Sequence, residues 1–138
     1  MHLLKFNFQF KPKPKPKADS MLIATMQVKK HENCKLKMYK DSLGIWTIGW
    51  GFNLEANEIP QDVADRLLEY MMADALKVAK DFCGDSWEHM NEARQAVIIN
   101  MAYNMGRKTL FSLWTLQTGI KERNWNYAAA RMQSYEWY

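Results

Sequence analysis

The chain has 138 residues, 48% of them hydrophobic, which is enough for one domain with a buried core and too apolar for a chain disordered throughout. Its net charge of +4 comes entirely from the first twenty residues, where Lys5, Lys11, Lys13, Lys15 and Lys17 face only Asp19. The balanced remainder argues against nucleic-acid binding by the folded part. No run approaches the ~18 consecutive apolar residues of a membrane span. The opening "MHLLKFNFQF" is too short, and too interrupted by Lys5, Asn7 and Gln9, for a signal-peptide core. These features predict a protein made and kept in the cytosol that needs a separate release device to meet any substrate outside it. Cys34 and Cys83 lack CxxC or Cys/His spacing and read as free thiols, with a disulfide as the alternative.

Residues 1–20 stand apart as a segment appended to a domain over 21–138. In "KFNFQFK" the rings of Phe6, Phe8 and Phe10 alternate with polar residues, as on a two-faced strand. "KPKPKPK" then favours a stiff polyproline rod of ~3.1 Å per residue, held open by its lysines. The segment reads as a solvated leader, as an added tag ending near "ADSM", or as a cationic aromatic arm for an anionic surface such as lipopolysaccharide or phospholipid.

From Asp19 or Ser20 as N-cap, Leu22, Ile23, Ala24 and Met26 predict a short helix that fades at Asn33 and delivers Glu32 at its end. "LKMY", the turn-like "KDSLG" and "IWTIGWGF" predict a β-hairpin, with a third short strand near 54–58. Pro60 suits a first helical position, and Val63, Leu67, Met71, Val78 and Phe82 mark one face of a helix of about twenty residues that Gly84 stops. Asn91 caps a further helix carrying Ala93, Val97, Ile98, Met101 and Met105 inside and ending at Gly106. Two more helices are expected near 112–122 and 125–134. No internal repeat is visible. The pattern predicts an α+β fold with a small hairpin-containing lobe and a helical lobe joined by a long helix, and a binding cleft between the lobes.

Chemistry-bearing residues are few. "HENCK" lacks the second His, four residues on, of a zinc-protease helix, so no metal or cofactor is expected. His31 and Cys34 read as a chance neighbourhood with a packed thiol. "GWG" at Gly49–Gly51 has no phosphate-loop continuation, and its glycines instead permit close approach of a backbone or ligand. Two acids remain. Cleaving a glycosidic bond takes one protonated acid for the leaving oxygen and one carboxylate to activate water or stabilise positive charge. Glu32 beside apolar residues is a candidate for the desolvated acid, and Asp41 in a turn for the ionised one. By spacing alone, two acids nine residues apart read first as ordinary surface charges.

The flanks of these acids distinguish the two readings. "HENCKLKMYKDSLGIWTIGWGFNLE" resembles the catalytic stretch of the phage T4-type lysozymes, with an acid at a helix end followed by "LKxYKDxxGxWTIGxG". The resemblance resumes at "ARQAVIINMAYNMG", at "LF" and at "WNYAAARMQSYEWY", and so runs colinearly over 21–138. It implies a two-lobed lysozyme fold and an endolysin that hydrolyses the β-1,4 bond between N-acetylmuramic acid and N-acetylglucosamine in peptidoglycan. It further implies Glu32 as general acid, Asp41 as base, and Asp41 with Thr47 positioning the attacking water, with inversion at the anomeric carbon. Asn53, Tyr103, Trp114 and Arg131 fall at positions lining the family's sugar groove, where Tyr103 agrees best in character. The partners implied are peptidoglycan glycan strands, with no nucleic acid, for a monomer held in the host cytoplasm until released to the wall.

Read as ordinary residues, Thr47 is a β-branched strand position, Tyr103 and Trp114 are core, and Asn100 and Arg94 are structural. The chain departs from the family pattern at Phe52, where many relatives carry His, and at its end, "SYEWY", where relatives usually continue with a further helical segment. Both departures predict reduced activity or stability, and loss of a covering helix would expose apolar surface. The competing readings are an inactive lysozyme-fold peptidoglycan-binding module, and a membrane-disrupting cationic tail with a passenger domain.

Overall fold

A computed structural model describes residues 19–135. The strand and polyproline rod expected over residues 5–17 lie outside that range. The chain divides into two units, Met1–Glu58 and Ile59–Tyr138.

The first unit begins with α1 (Ser20–His31). Asp19 caps it in extended backbone, its carboxylate accepting from the Met21 N–H at 3.0 Å. This satisfies one of the orphan donors of the first turn. Lys29, Lys30 and His31 occupy the last turn, where positive charge complements the helix dipole. Glu32 is the C-cap, extended at φ −97° and ψ 129°, with its N–H donating to the Val28 carbonyl at 2.8 Å. A three-stranded antiparallel sheet follows in the order β1 (Lys35–Lys40), β2 (Trp46–Gly49), β3 (Phe52–Asn53). Thr47 on the central strand stands opposite Tyr39 on β1 and Asn53 on β3, and the β1–β2 register is irregular between Lys35 and Tyr39.

The third strand is at Phe52–Asn53 and not at 54–58 as the sequence predicts. The reason is local. Gly49 and Gly51 adopt φ of 65° and 86°, which turns the chain back within three residues so that Phe52 pairs with Ile48. The Asn53 side-chain oxygen then accepts from the Glu55 and Ala56 N–H groups at 2.8 and 2.9 Å, curling the chain out of the sheet.

The second unit is helical. It opens with α2 (Gln61–Cys83), for which Pro60 is the N-cap and not the first helical residue, so the helix begins one residue later than expected. Val78 and Phe82 of the predicted apolar face are buried, together with Ala75, Ala79 and Cys83. Val63, Leu67 and Met71 are exposed. Only the C-terminal half of α2 therefore joins this unit's core. After Gly84 the chain enters a 3-10 helix over Gly84–His89 that the sequence pattern does not reveal.

Asn91 caps α3 (Glu92–Ser112), accepting from the Arg94 N–H at 3.0 Å. Gly106 breaks the helix with φ 72° and ψ 170°, but the chain resumes helical geometry and continues to Ser112 instead of ending there. α4 (Trp114–Lys121) and α5 (Trp125–Gln133) close the unit, with the Asn124 side chain accepting from the Tyr127 N–H at 3.1 Å.

The core is built on Phe82, Met101, Leu110, Leu116, Ile120 and Cys83. Phe82 meets Phe111 edge to face at 5.5 Å between centroids, the arrangement that sets a positive ring edge on a negative face. Side-chain donors tie the helices together. Gln117 Nε2 donates to the Phe82 carbonyl at 2.9 Å and Gln95 Nε2 to the Trp87 carbonyl at 3.0 Å. α4 and α5 cross at Gly119, where an added Cβ would stand 2.7 Å from the Tyr127 ring and 3.1 Å from the Ala128 nitrogen. Cys34 is exposed and Cys83 buried, both as free thiols. No helix among the described residues is long and apolar enough to cross a membrane.

Candidate active site

Four of the candidate residues, Glu32, Asp41, Thr47 and Asn53, belong to the first unit, and Tyr103, Trp114 and Arg131 to the second. Each group is built by its own local chemistry.

Asp41 organises the turn between β1 and β2. Its Oδ1 accepts from the Leu43 N–H at 2.8 Å and the Ile45 N–H at 3.0 Å. Its own N–H donates to the Ile45 carbonyl at 3.0 Å, and its carbonyl accepts from the Gly44 N–H at 3.0 Å. Gly44 supplies the positive φ of 80° that closes this turn. The carboxylate is thereby fixed through one oxygen by two charge-assisted bonds, and Oδ2 makes no hydrogen bond to the described residues. The turn calls for a short side chain with an oxygen acceptor, since it must accept from backbone only two and four residues ahead.

Glu32 is exposed, which corrects the expectation that its surroundings desolvate it. α1 has no buried residue, so the helix supplies no apolar wall for the carboxyl. Its position is nonetheless defined. An added Cβ at Gly51 would lie 4.0 Å from Glu32 Oε2, so the carboxyl stands at the β2–β3 turn. Lys29, three residues earlier on α1, holds its ammonium 5.6 Å from the centroid of the Trp50 ring in the same turn.

Thr47 is only 4% exposed, and its hydroxyl donates to the Ile45 carbonyl at 3.2 Å. It fills the β-branched position of a central strand while keeping its oxygen lone pairs as acceptors. Asn53 spends its side-chain oxygen on the Glu55 and Ala56 amides, leaving Nδ2 as a donor. Glu55, which the sequence reading did not single out, accepts from the Trp46 N–H at 3.1 Å and so ties the loop after β3 to β2. Its signal was available only as a Glu two residues after Asn53, a spacing too common to identify.

In the helical unit Tyr103 is 36% exposed and lines a cleft with Tyr70, Met71, Asp74, Ala102 and Arg107. Trp114, the first residue of α4, is 69% exposed. Neither belongs to the core. Arg131 stacks its guanidinium 4.8 Å over the Tyr127 ring, and its buried Nε has no hydrogen-bond partner among the described residues. Arg94 stacks over Trp125 at 4.7 Å, and Asn100 accepts from Asn104 Nδ2 at 3.0 Å. Both contacts fit the structural reading of Arg94 and Asn100.

An acid at a helix C-cap, a second acid locked into a hairpin turn and a helical unit of this order define a lysozyme-like α+β protein. The family model for phage lysozyme matches residues 29–138, and the chain belongs to the phage lysozyme family. A comparison with curated proteins finds no match. Family membership makes this chain an endolysin of the peptidoglycan-hydrolysing class.

Proposed function

We propose that the protein is a muramidase that hydrolyses the β-1,4 bond between N-acetylmuramic acid and N-acetylglucosamine, with inversion, and so lyses the cell. The observation that carries this reading is the contrast between the two acids. Asp41 is immobilised through Oδ1 by the Leu43 and Ile45 amides, while Glu32 projects from the end of α1 at the β2–β3 turn. A base that must direct one water gains from being fixed, since a positioned reactant avoids the entropy of orientation.

In the proposed reaction Glu32 gives its proton to the glycosidic oxygen as the bond to the anomeric carbon breaks. Water bonds to that carbon from the opposite face, and Asp41 Oδ2 takes the proton it sheds. Proton exchange with solvent then restores both groups. Thr47 is assigned to the water through its oxygen lone pairs. Inversion calls for carboxyl groups ~6.5–9.5 Å apart, with space for a water between substrate and base. Asn53 Nδ2, the exposed aromatic faces of Tyr103 and Trp114, and Arg131 are assigned to sugar contacts. Residues 1–20 are proposed as a separate cationic arm that engages an anionic outer-membrane surface.

Digestion of purified peptidoglycan by the wild type and by Glu32→Gln, with the anomeric form of the new reducing ends resolved by NMR, tests the reading. The wild type should release the α-anomer first and the variant should release no reducing ends. Release of the β-anomer first would overturn inversion, and undiminished release by Glu32→Gln would overturn the assignment of the acid.

A further inference from the structure

The β2–β3 turn presents a large aromatic ring beside Glu32 for which the hydrolytic roles have no use. Trp50 lies between Gly49 at φ 65° and Gly51 at φ 86°, backbone positions that favour residues without a Cβ. The turn thus holds the indole out between two residues with no side chains of their own. Trp50 is 44% exposed, although a tryptophan ordinarily gains by burying its surface. The Lys29 ammonium at 5.6 Å engages the ring, and the Glu32 carboxyl stands at Gly51, the next residue. Ring, ammonium and carboxyl are gathered at one corner of the first unit.

We propose that Trp50 is a sugar-stacking platform for the glycan strand at the side of Glu32, with Lys29 as the positioning residue that holds the indole. This inference rests on the muramidase reading. A pyranose whose substituents are mainly equatorial shows an apolar face of axial C–H groups, each carrying partial positive charge at hydrogen. The negative face of an indole attracts such hydrogens by the same quadrupole that attracts the Lys29 ammonium. Two χ angles and a rigid bicyclic ring keep the ordering cost of the contact low. The exposed aliphatic side chains of the same unit, Leu36 and Leu43 among them, have no such face.

Binding and turnover are measured separately. Binding of Glu32→Gln and of the Glu32→Gln/Trp50→Ala double variant to chitotetraose is read by calorimetry, and their retention on intact sacculi by co-sedimentation. In the active background, Trp50→Ala, Trp50→Phe and Lys29→Gln are assayed for kcat and KM on solubilised glycan strands. Loss of the platform should weaken binding about tenfold, the change expected for one well-formed contact, and the loss of turnover should fall on KM more than on kcat. Trp50→Phe should recover most of the loss in KM and Lys29→Gln should be intermediate. Circular dichroism and melting temperature verify the fold, and Trp50→Leu replaces Trp50→Ala if the alanine variant does not fold.

Equal binding by Glu32→Gln and the double variant overturns the platform whether or not the wild type is active. Weaker binding by the double variant than by Glu32→Gln, together with a wild type that releases no reducing ends, overturns the muramidase reading and leaves the platform standing.

Discussion

Asp41 and Ile45 hold each other twice across the β1–β2 turn, the Ile45 N–H donating to Asp41 Oδ1 at 3.0 Å and the Asp41 N–H donating to the Ile45 carbonyl at 3.0 Å. One side chain therefore both shapes the turn and fixes the orientation of a proposed catalytic carboxylate. Its structural and chemical duties are separable by substitution. Asp41→Asn keeps an oxygen acceptor for the Leu43 and Ile45 amides, so it should fold with little change in melting temperature while losing hydrolysis. Asp41→Ala removes the acceptor and should cost a further ~1–3 kcal/mol of stability. Urea denaturation beside a reducing-end assay measures both effects, and equal stability of the two variants would contradict the turn-building role.

Glu32→Gln should behave differently. The side chain is exposed and its backbone N–H, not its carboxyl, closes the end of α1. Stability should stay within ~0.5 kcal/mol of wild type, as for surface substitutions away from special features. Turnover should fall by at least ~100-fold if the residue is the general acid. Parallel melting curves and peptidoglycan digestion check the pair of outcomes.

Gly119→Ala tests the crossing of α4 and α5. Alanine suits a helix better than glycine by ~1 kcal/mol, but its Cβ would meet the Tyr127 ring at 2.7 Å and the Ala128 backbone nitrogen at 3.1 Å. The ring can rotate aside and the backbone cannot. Overpacking of this kind costs ~1–3 kcal/mol, so the net change should be destabilising and visible as a lower urea midpoint.

The two thiols should differ in reactivity. Burial pushes the Cys83 thiol up to about 12 from 9.0, because the thiolate would be formed away from water. A thiol-reactive chromophore should modify Cys34 alone in the native protein and both cysteines in denaturant. The same shift has a stability consequence. Between about pH 9 and 12 the unfolded chain releases the Cys83 proton while the folded chain retains it, so stability falls as pH rises through that window. Cys83→Ala should remove this slope, at the cost of a small cavity, and pH-dependent denaturation from pH 8 upward reads it.

Much of the local architecture was legible because it is determined by near neighbours. Asp19 and Asn91 as caps, Gly106 as a break, and the turn around Asp41 each depend on a short polar side chain or a glycine acting on backbone two to four residues away. Such effects are carried by the chain segment itself. The family pattern around Glu32 and Asp41 is local in the same sense, since it is a run of fixed spacings within one helix end and one hairpin.

Other features needed partners that lie far apart in sequence. The apolar stripe of α2 looks continuous from Val63 to Phe82, yet only its C-terminal half enters the core of the helical unit, because burial is decided by what α3 and α4 bring against it. Gly119 carries no distinguishing signal in its own neighbourhood, and only Tyr127 and Ala128 packed on it exclude a Cβ there. The exposure of Glu32, the 3-10 helix after Gly84 and the placement of Trp50 beside Lys29 were likewise decided by tertiary structure. By itself the sequence determined the main helices, the hairpin and the caps at Asp19 and Asn91, and it marked the two acids as candidates. Only three-dimensional packing decided which of those residues are buried, which are tied down and which are left free to meet a ligand, because burial and contact are properties of pairs and not of single residues.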